Sequence, residues 1–175
     1  VERARRLAER LAFARMTFLD LRVSEAIDTP ALPTRFDIVT ALHACDTATD
    51  DAIRFALHKQ ARFIVLVPCC QAEVAALLRR NKNVSLARTP LAELWRHPIH
   101  TREFGSQVTN ALRCLQLEAQ GYQLTVTELV GWEHSLKNEL IIARRGKERR
   151  GDAAARLEEI LWALNLEELH DRFIY

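Results

Sequence analysis

The sequence predicts an α/β fold: a largely parallel sheet that closes with an antiparallel carboxyl-terminal pair of strands. Three observations carry that expectation. First, two apolar runs, Phe36-Asp-Ile-Val-Thr-Ala-Leu and Phe63-Ile-Val-Leu-Val, flank an amphipathic helix over residues 49–60. Strand, helix and strand make a βαβ unit, whose strands run parallel through a right-handed crossover. Second, each run passes directly into a polar signature. The first leads into His43-Ala-Cys45-Asp46-Thr-Ala-Thr49-Asp50, the second into Pro68-Cys69-Cys70-Gln71. Ligands of open α/β sheets bind in the crevice outside the carboxyl ends of the strands. His43, Cys45, Asp46, Cys69 and Cys70 are therefore expected at the edge of a cleft. Third, residues 122–130 alternate and are rich in β-branched side chains, and 139–144 form a second such run. The loop between them suits a hairpin, which would return residues 131–138 to the same edge as His43 and Cys69.

The remaining elements follow in chain order. Ala4, Leu7, Ala8 and Leu11 repeat at helical spacing, so residues 1–13 read as a helix. Residues 16–23 are expected as a strand, followed by turns around Pro30 and Pro33. After the two signature strands, residues 71–80 read as a helix closed by Asn81-Lys82-Asn83. Thr89-Pro90 starts a helix over 91–96, with Thr suited to the cap and Pro to the first turn. Phe104, Val108, Leu112, Leu115 and Ala119 share one face of a long helix over 101–120, which Gly121 ends. Asp152 caps a last helix that runs through Leu164, with a short tail to Tyr175.

At 175 residues, with 49% hydrophobic and 27% charged residues, the composition is that of an ordinary globular domain. The net charge of +2 selects no partner. No apolar run approaches the roughly 20 residues of a membrane span, and the chain does not open on a secretory signal. Four cysteines, two of them adjacent, make no disulfide framework, and reduced thiols in the cytoplasm are expected. Val1-Glu-Arg-Ala-Arg-Arg-Leu reads as the middle of a helix, and none of the five glycines lies in a Gly-x-Gly turn. The expectation is a chain whose amino-terminal part is missing.

At Leu42-His43-Ala44-Cys45-Asp46-x-x-Thr49-Asp50 and Cys69-Cys70 the chain resembles the S-adenosylmethionine-dependent methyltransferases related to the GST C-terminal domain-containing protein. Some RNA methyltransferases, including a tRNA 2′-O-methyltransferase family, carry a similar pairing. The resemblance covers most of the chain, to about Arg145. It implies a Rossmann-like class I methyltransferase sheet lacking its first strands, with a methyltransferase domain over 1–150 and a helical extension over 151–175. It implies S-adenosyl-L-methionine as cofactor, contacted by Arg22, Leu42 and His43. His43 and Asp46 take the catalytic positions, and Cys69, Cys70, Lys137 and Asn138 the substrate-binding ones. The methyl acceptor is unidentified, with RNA among the candidates, and no membrane partner is implied. Two departures stand out. The family turn has Gly where this chain has Asp46, and the glycine-rich turn and ribose-binding acid of the family are absent, so this chain alone should bind the cofactor poorly.

Each candidate has a plainer reading. A histidine at a strand end can satisfy the turn rather than accept a proton. Thr47 or Thr49 can cap the helix, with Asp50 and Asp51 in its first turn. His43, Cys45, Cys69 and Cys70 could present soft ligands, but adjacent cysteines lack the usual zinc spacing, and no metal is expected. Cys114 reads as packing. Trp132, Lys137 and Asn138 lie in the returning loop. Arg96, His97, His100 and Arg102 form a basic stretch, and Arg79-Arg80 and the 144–150 cluster are basic without interleaved aromatics. A non-catalytic RNA- or protein-binding module and an enzyme with a thiol nucleophile at Cys69 or Cys70 are the competing functions.

Overall fold

The computed structural model describes residues 1–69, 71–80, 90–131, 133–134, 138–146 and 151–174. In chain order the helices and strands are α1 (Glu2–Arg10), α2 (Val23–Ala26), β1 (Ile38–Leu42), α3 (Thr47–His58), β2 (Phe63–Val67) and α4 (Glu73–Arg80). A 3-10 helix (Pro90–Trp95) follows. Then come α5 (Pro98–Ala119), β3 (Tyr122–Glu128), β4 (Glu139–Arg145), α6 (Gly151–Ala163), a second 3-10 helix (Glu167–Leu169) and α7 (His170–Phe173).

The four strands form one sheet in the order β1-β2-β4-β3. β1 and β2 are neighbours and parallel, from Ile38 opposite Phe63 to Leu42 opposite Val67, as the βαβ connection requires. β4 inserts antiparallel between β2 and β3, with Leu66 opposite Ile141 and Val126 opposite Ile141 on its other side. This register brings the start of β4 to the carboxyl end of β2. The β3–β4 connection therefore returns to the edge that bears the two signatures.

Alternation along the strands builds the sheet-side core. Ala41, Ile64, Leu66, Ile141 and Ala143 are buried with Ile53 and Ala56 of α3 and Leu117 of α5. A second core lies outside the sheet. Leu77 and Leu78 of α4, Val108, Leu112 and Leu115 of α5, and Leu157 and Leu161 of α6 meet there with Leu169 and Phe173 from the end of the chain. The expected apolar face of the long helix is thus the face turned to α4 and α6. Gly105 permits the close approach of α5 to α4, because a Cβ there would stand 2.7 Å from the Ala75 backbone nitrogen. Gly121 ends the helix in a left-handed conformation (φ 87°), as expected of glycine at that place.

One expected element is corrected. Residues 16–23 form no strand: the chain runs without regular structure from Met16 to Arg22 and then enters α2. A strand needs a ladder for its backbone groups, and among the described residues β1 is hydrogen-bonded on its β2 side alone. Met16, Leu19, Leu21 and Val23 are exposed, as are Ile38 and Leu42 along β1 itself. The expected helix at 91–96 is 3-10 in geometry, and the tail after Leu164 folds back as a 3-10 turn and α7. Among the described residues no helix is long and apolar enough to cross a membrane.

Candidate functional site

The two signatures meet at the carboxyl ends of β1 and β2. The parallel ladder extends one bond past the strand, with the His43 N–H donating to the Val67 carbonyl at 3.0 Å. His43 then turns into the left-handed region (φ 54°), and Asp46 does the same (φ 49°). Such φ values are uncommon for residues with a side chain. Here they fold residues 43–46 into a tight rim, held by the Thr49 hydroxyl donating to the Ala44 carbonyl at 2.6 Å. The rim leaves the His43 side chain exposed, and its ring has no hydrogen-bond partner among the described residues. Cys45 is also exposed, and its Sγ lies 3.6 Å from Sγ of Cys69 at the end of β2.

Asp46 makes structural contacts. Its Oδ1 accepts the backbone N–H groups of Ala72 and Glu73 at 3.2 and 3.4 Å. The carboxylate thereby caps α4 from outside the helix and offsets the positive end of its dipole. The backbone at Asp46 (φ 49°, ψ −121°) is one that glycine adopts without strain. The aspartate accepts backbone strain and supplies a cap that glycine lacks.

Beneath this rim runs a buried polar network that includes residues outside the two signatures. Arg113 of α5 is fully buried. Its Nε donates to Asp50 Oδ1 at 2.6 Å, its Nη1 to Asn110 Oδ1 at 3.2 Å and its Nη2 to the Asp46 carbonyl at 2.8 Å. Asn110 also accepts from Gln71 Nε2 at 3.1 Å and donates to Glu139 Oε2 at 2.7 Å, and Ser106 donates to Gln71 Oε1 at 2.6 Å. Arg172 of α7 pairs with Glu73 and stands 4.0 Å from Asp50. One guanidinium thus ties the rim, the start of α3 and α5 together. Asp50 sits in the first turn of α3 as expected, but it is the acid of a buried ion pair rather than a solvated dipole partner. The signal was present in the sequence: Ser106, Asn110 and Arg113 recur at i, i+4 and i+7 on a helix face that should otherwise meet the apolar sheet.

The other expected site residues divide. Leu42 is exposed beside His43 at the end of β1. Cys69 joins Cys45 at the rim. Asn138 is buried and latches the hairpin: its Nδ2 donates to the Val130 carbonyl at 2.5 Å and its carbonyl accepts from Leu129 N–H at 2.8 Å. Arg22 opens α2, where its N–H donates to Glu25 Oε2 at 2.9 Å, and α2 packs on α3. Cys70, Trp132 and Lys137 lie outside the described residues, as do 81–89 and 147–150.

Burial pushes the Cys114 thiol up to about 12, with Glu139 and Glu118 adding to the shift and Arg113 opposing it, so this cysteine stays protonated as packing. Arg144 and Arg145 stand at the opposite end of the sheet from His43. There they contact Gln123 and Gln60. His97 and His100 lie edge to face at the exposed start of α5. A cavity of about 600 Å3 opens between α1 and residues 12–18, lined by Ala8, Phe13 and Met16 among others. None of its lining residues belongs to the two signatures.

Residues 1–77 match the family model described as a methyltransferase domain. That stretch holds both signatures and the βαβ unit between them. No curated protein and no solved structure matches the chain. The match supports a methyltransferase domain, and the four-stranded α/β sheet is consistent with one.

Proposed function

We propose that the rim formed by residues 42–46 and Cys69 is the acceptor side of an S-adenosylmethionine-dependent methyl-transfer site. The carrying observation is the convergence of both signatures on neighbouring parallel strand ends, inside the stretch that matches a methyltransferase domain. The likeness of Leu42-His43-Ala44-Cys45 and Cys69-Cys70 to methyltransferases related to the GST C-terminal domain-containing protein supports the same reading. S-adenosylmethionine supplies an electrophilic methyl on a sulfonium centre. The residues present suit such a cation: the loop 43–46 bears no lysine or arginine, and the guanidiniums beneath it, Arg113 and Arg172, are already paired with Asp50 and Glu73.

Methyl transfer needs acceptor and methyl held in line, and a base only where the acceptor loses a proton. His43 fits that second task. Its ring is exposed, and it stands on a rim fixed by backbone hydrogen bonds. Asp46 acts through position: it fixes the rim by capping α4, where its Oδ1 is engaged by two N–H groups. Leu42 and Cys69 form the apolar and thiol walls beside His43.

Titration of the chain with S-adenosylhomocysteine up to millimolar concentration, followed by amide chemical shifts, tests the reading. Shifts centred on Leu42, His43, Cys45 and Cys69 are expected. Absence of shifts there, or shifts confined to the Phe13 and Met16 cavity, would overturn it.

A further inference from the structure

We propose that Cys45 and Cys69 form a reversible intramolecular disulfide, which makes the rim of the cleft a redox-responsive site. The two cysteines are 24 residues apart in sequence, yet their sulfurs are 3.6 Å apart. That proximity is built into the fold. Cys45 and Cys69 follow strands that are hydrogen-bonded neighbours, and the ladder continues through His43 to Val67 just before each thiol. The Asp46 cap then fixes the first rim to the start of α4, the segment that follows Cys69. A disulfide needs a sulfur separation of about 2.0 Å. Rotation of two side chains on adjacent strand ends closes a gap of this size without parting the strands.

Accessibility favours one order of events. Cys45 is exposed and Cys69 half-buried, so Cys45 meets a soluble oxidant first. With hydrogen peroxide as oxidant, the Cys45 sulfur attacks one peroxide oxygen, the O–O bond breaks, and water leaves with formation of a sulfenic acid. The Cys69 sulfur then attacks the Cys45 sulfur, the S–O bond breaks, and a second water leaves. The dithiol has lost two electrons and two protons, and one peroxide has become two waters. Thiol–disulfide exchange with an external dithiol reverses the step. The bridge would tie the His43 rim directly to the end of β2 and remove both thiols from the cleft wall. It does not depend on the methyltransferase reading, because its formation is read from mass alone.

The test uses the reduced chain at low concentration, treated with equimolar hydrogen peroxide, alkylated with iodoacetamide and digested. The expected result is a pair of peptides joined through Cys45 and Cys69, separated by dithiothreitol, and still formed in Cys70→Ser. In Cys69→Ser, dimedone should trap the sulfenic acid on Cys45. Half-buried Cys114, on α5 away from the rim, serves as the internal control that stays reduced. A bridge between Cys69 and Cys70, a bridge between two chains, or over-oxidised Cys45 beside freely alkylated Cys69 would each overturn the proposal. Absence of the dimedone adduct in Cys69→Ser would overturn the order of attack.

Discussion

Replacing Arg113 should damage this protein more than any exposed arginine can. In Arg113→Met the Asp50 carboxylate loses its 2.6 Å partner, and Asn110 and the Asp46 carbonyl lose a donor each. Removing one member of a buried ion pair costs about 3–5 kcal/mol, because the remaining charge loses its close partner, and Arg172 at 4.0 Å makes up only part of the loss. The two further lost bonds overlap with that penalty rather than adding to it, since all four groups form one network. A loss of about 4 kcal/mol with a urea slope of about 2 kcal/mol/M lowers the unfolding midpoint by about 2 M. Urea titration followed by circular dichroism measures it. Should Arg113→Met prove too unstable to titrate, Arg113→Lys keeps the charge but cannot reach three acceptors at once, and it should lose less. Adding Asp50→Asn to Arg113→Met should recover part of the loss, since the stranded charge is then gone. A loss below about 1 kcal/mol, the scale of an exposed pair, or strict additivity in the double variant would refute a buried, coupled network.

Asp46 separates two effects. Asp46→Ala loses the α4 cap and keeps the left-handed backbone, whereas Asp46→Gly loses the cap and relieves the backbone. The glycine variant should therefore be the more stable of the two, by about 1 kcal/mol in urea titration. Asn138→Ala removes the side-chain bond to the Val130 carbonyl, and it should cost about 1 kcal/mol and speed amide exchange at Leu129. Cys114 gives a pH prediction. Its thiol is raised from 9.0 to about 12 in the folded chain, so between those values the unfolded state releases a proton that the folded state keeps. Stability should be full below pH 9 and fall as the pH rises toward 12. Tyr122, also raised by burial, adds to the alkaline end of that fall. Cys114→Val should flatten the part that begins near pH 9, as thermal unfolding across the range would show.

The βαβ unit, the returning hairpin and the faces of α5 were legible because each is written in local periodicity. Apolar alternation stops where a polar signature starts, and the site edge lies at that boundary. The segment 16–22 shows where this reasoning stops. Its apolar residues suit a strand, but a strand exists only with a neighbour, and sequence pattern carries no information on whether one is available. The same limit hid the network. Asp50 reads locally as a first-turn acid, and its partner Arg113 comes from a helix 63 residues further on. Asp46 reads as a rim carboxylate, and only the fold reveals that Ala72 and Glu73 have taken its Oδ1. The tail was similarly opaque, since Leu169 and Phe173 are buried by a core that α4, α5 and α6 must first create.

Photo-crosslinking with methyl-labelled S-adenosylmethionine tests the central claim most directly. The chain is irradiated with the labelled cofactor, with and without excess unlabelled S-adenosylhomocysteine, and the labelled peptide is identified by mass. The account predicts competed label on the peptide bearing Leu42, His43 and Cys45 or on the one bearing Cys69. Label on α1 and the Phe13–Phe18 segment, or label that excess S-adenosylhomocysteine leaves unchanged, would contradict it.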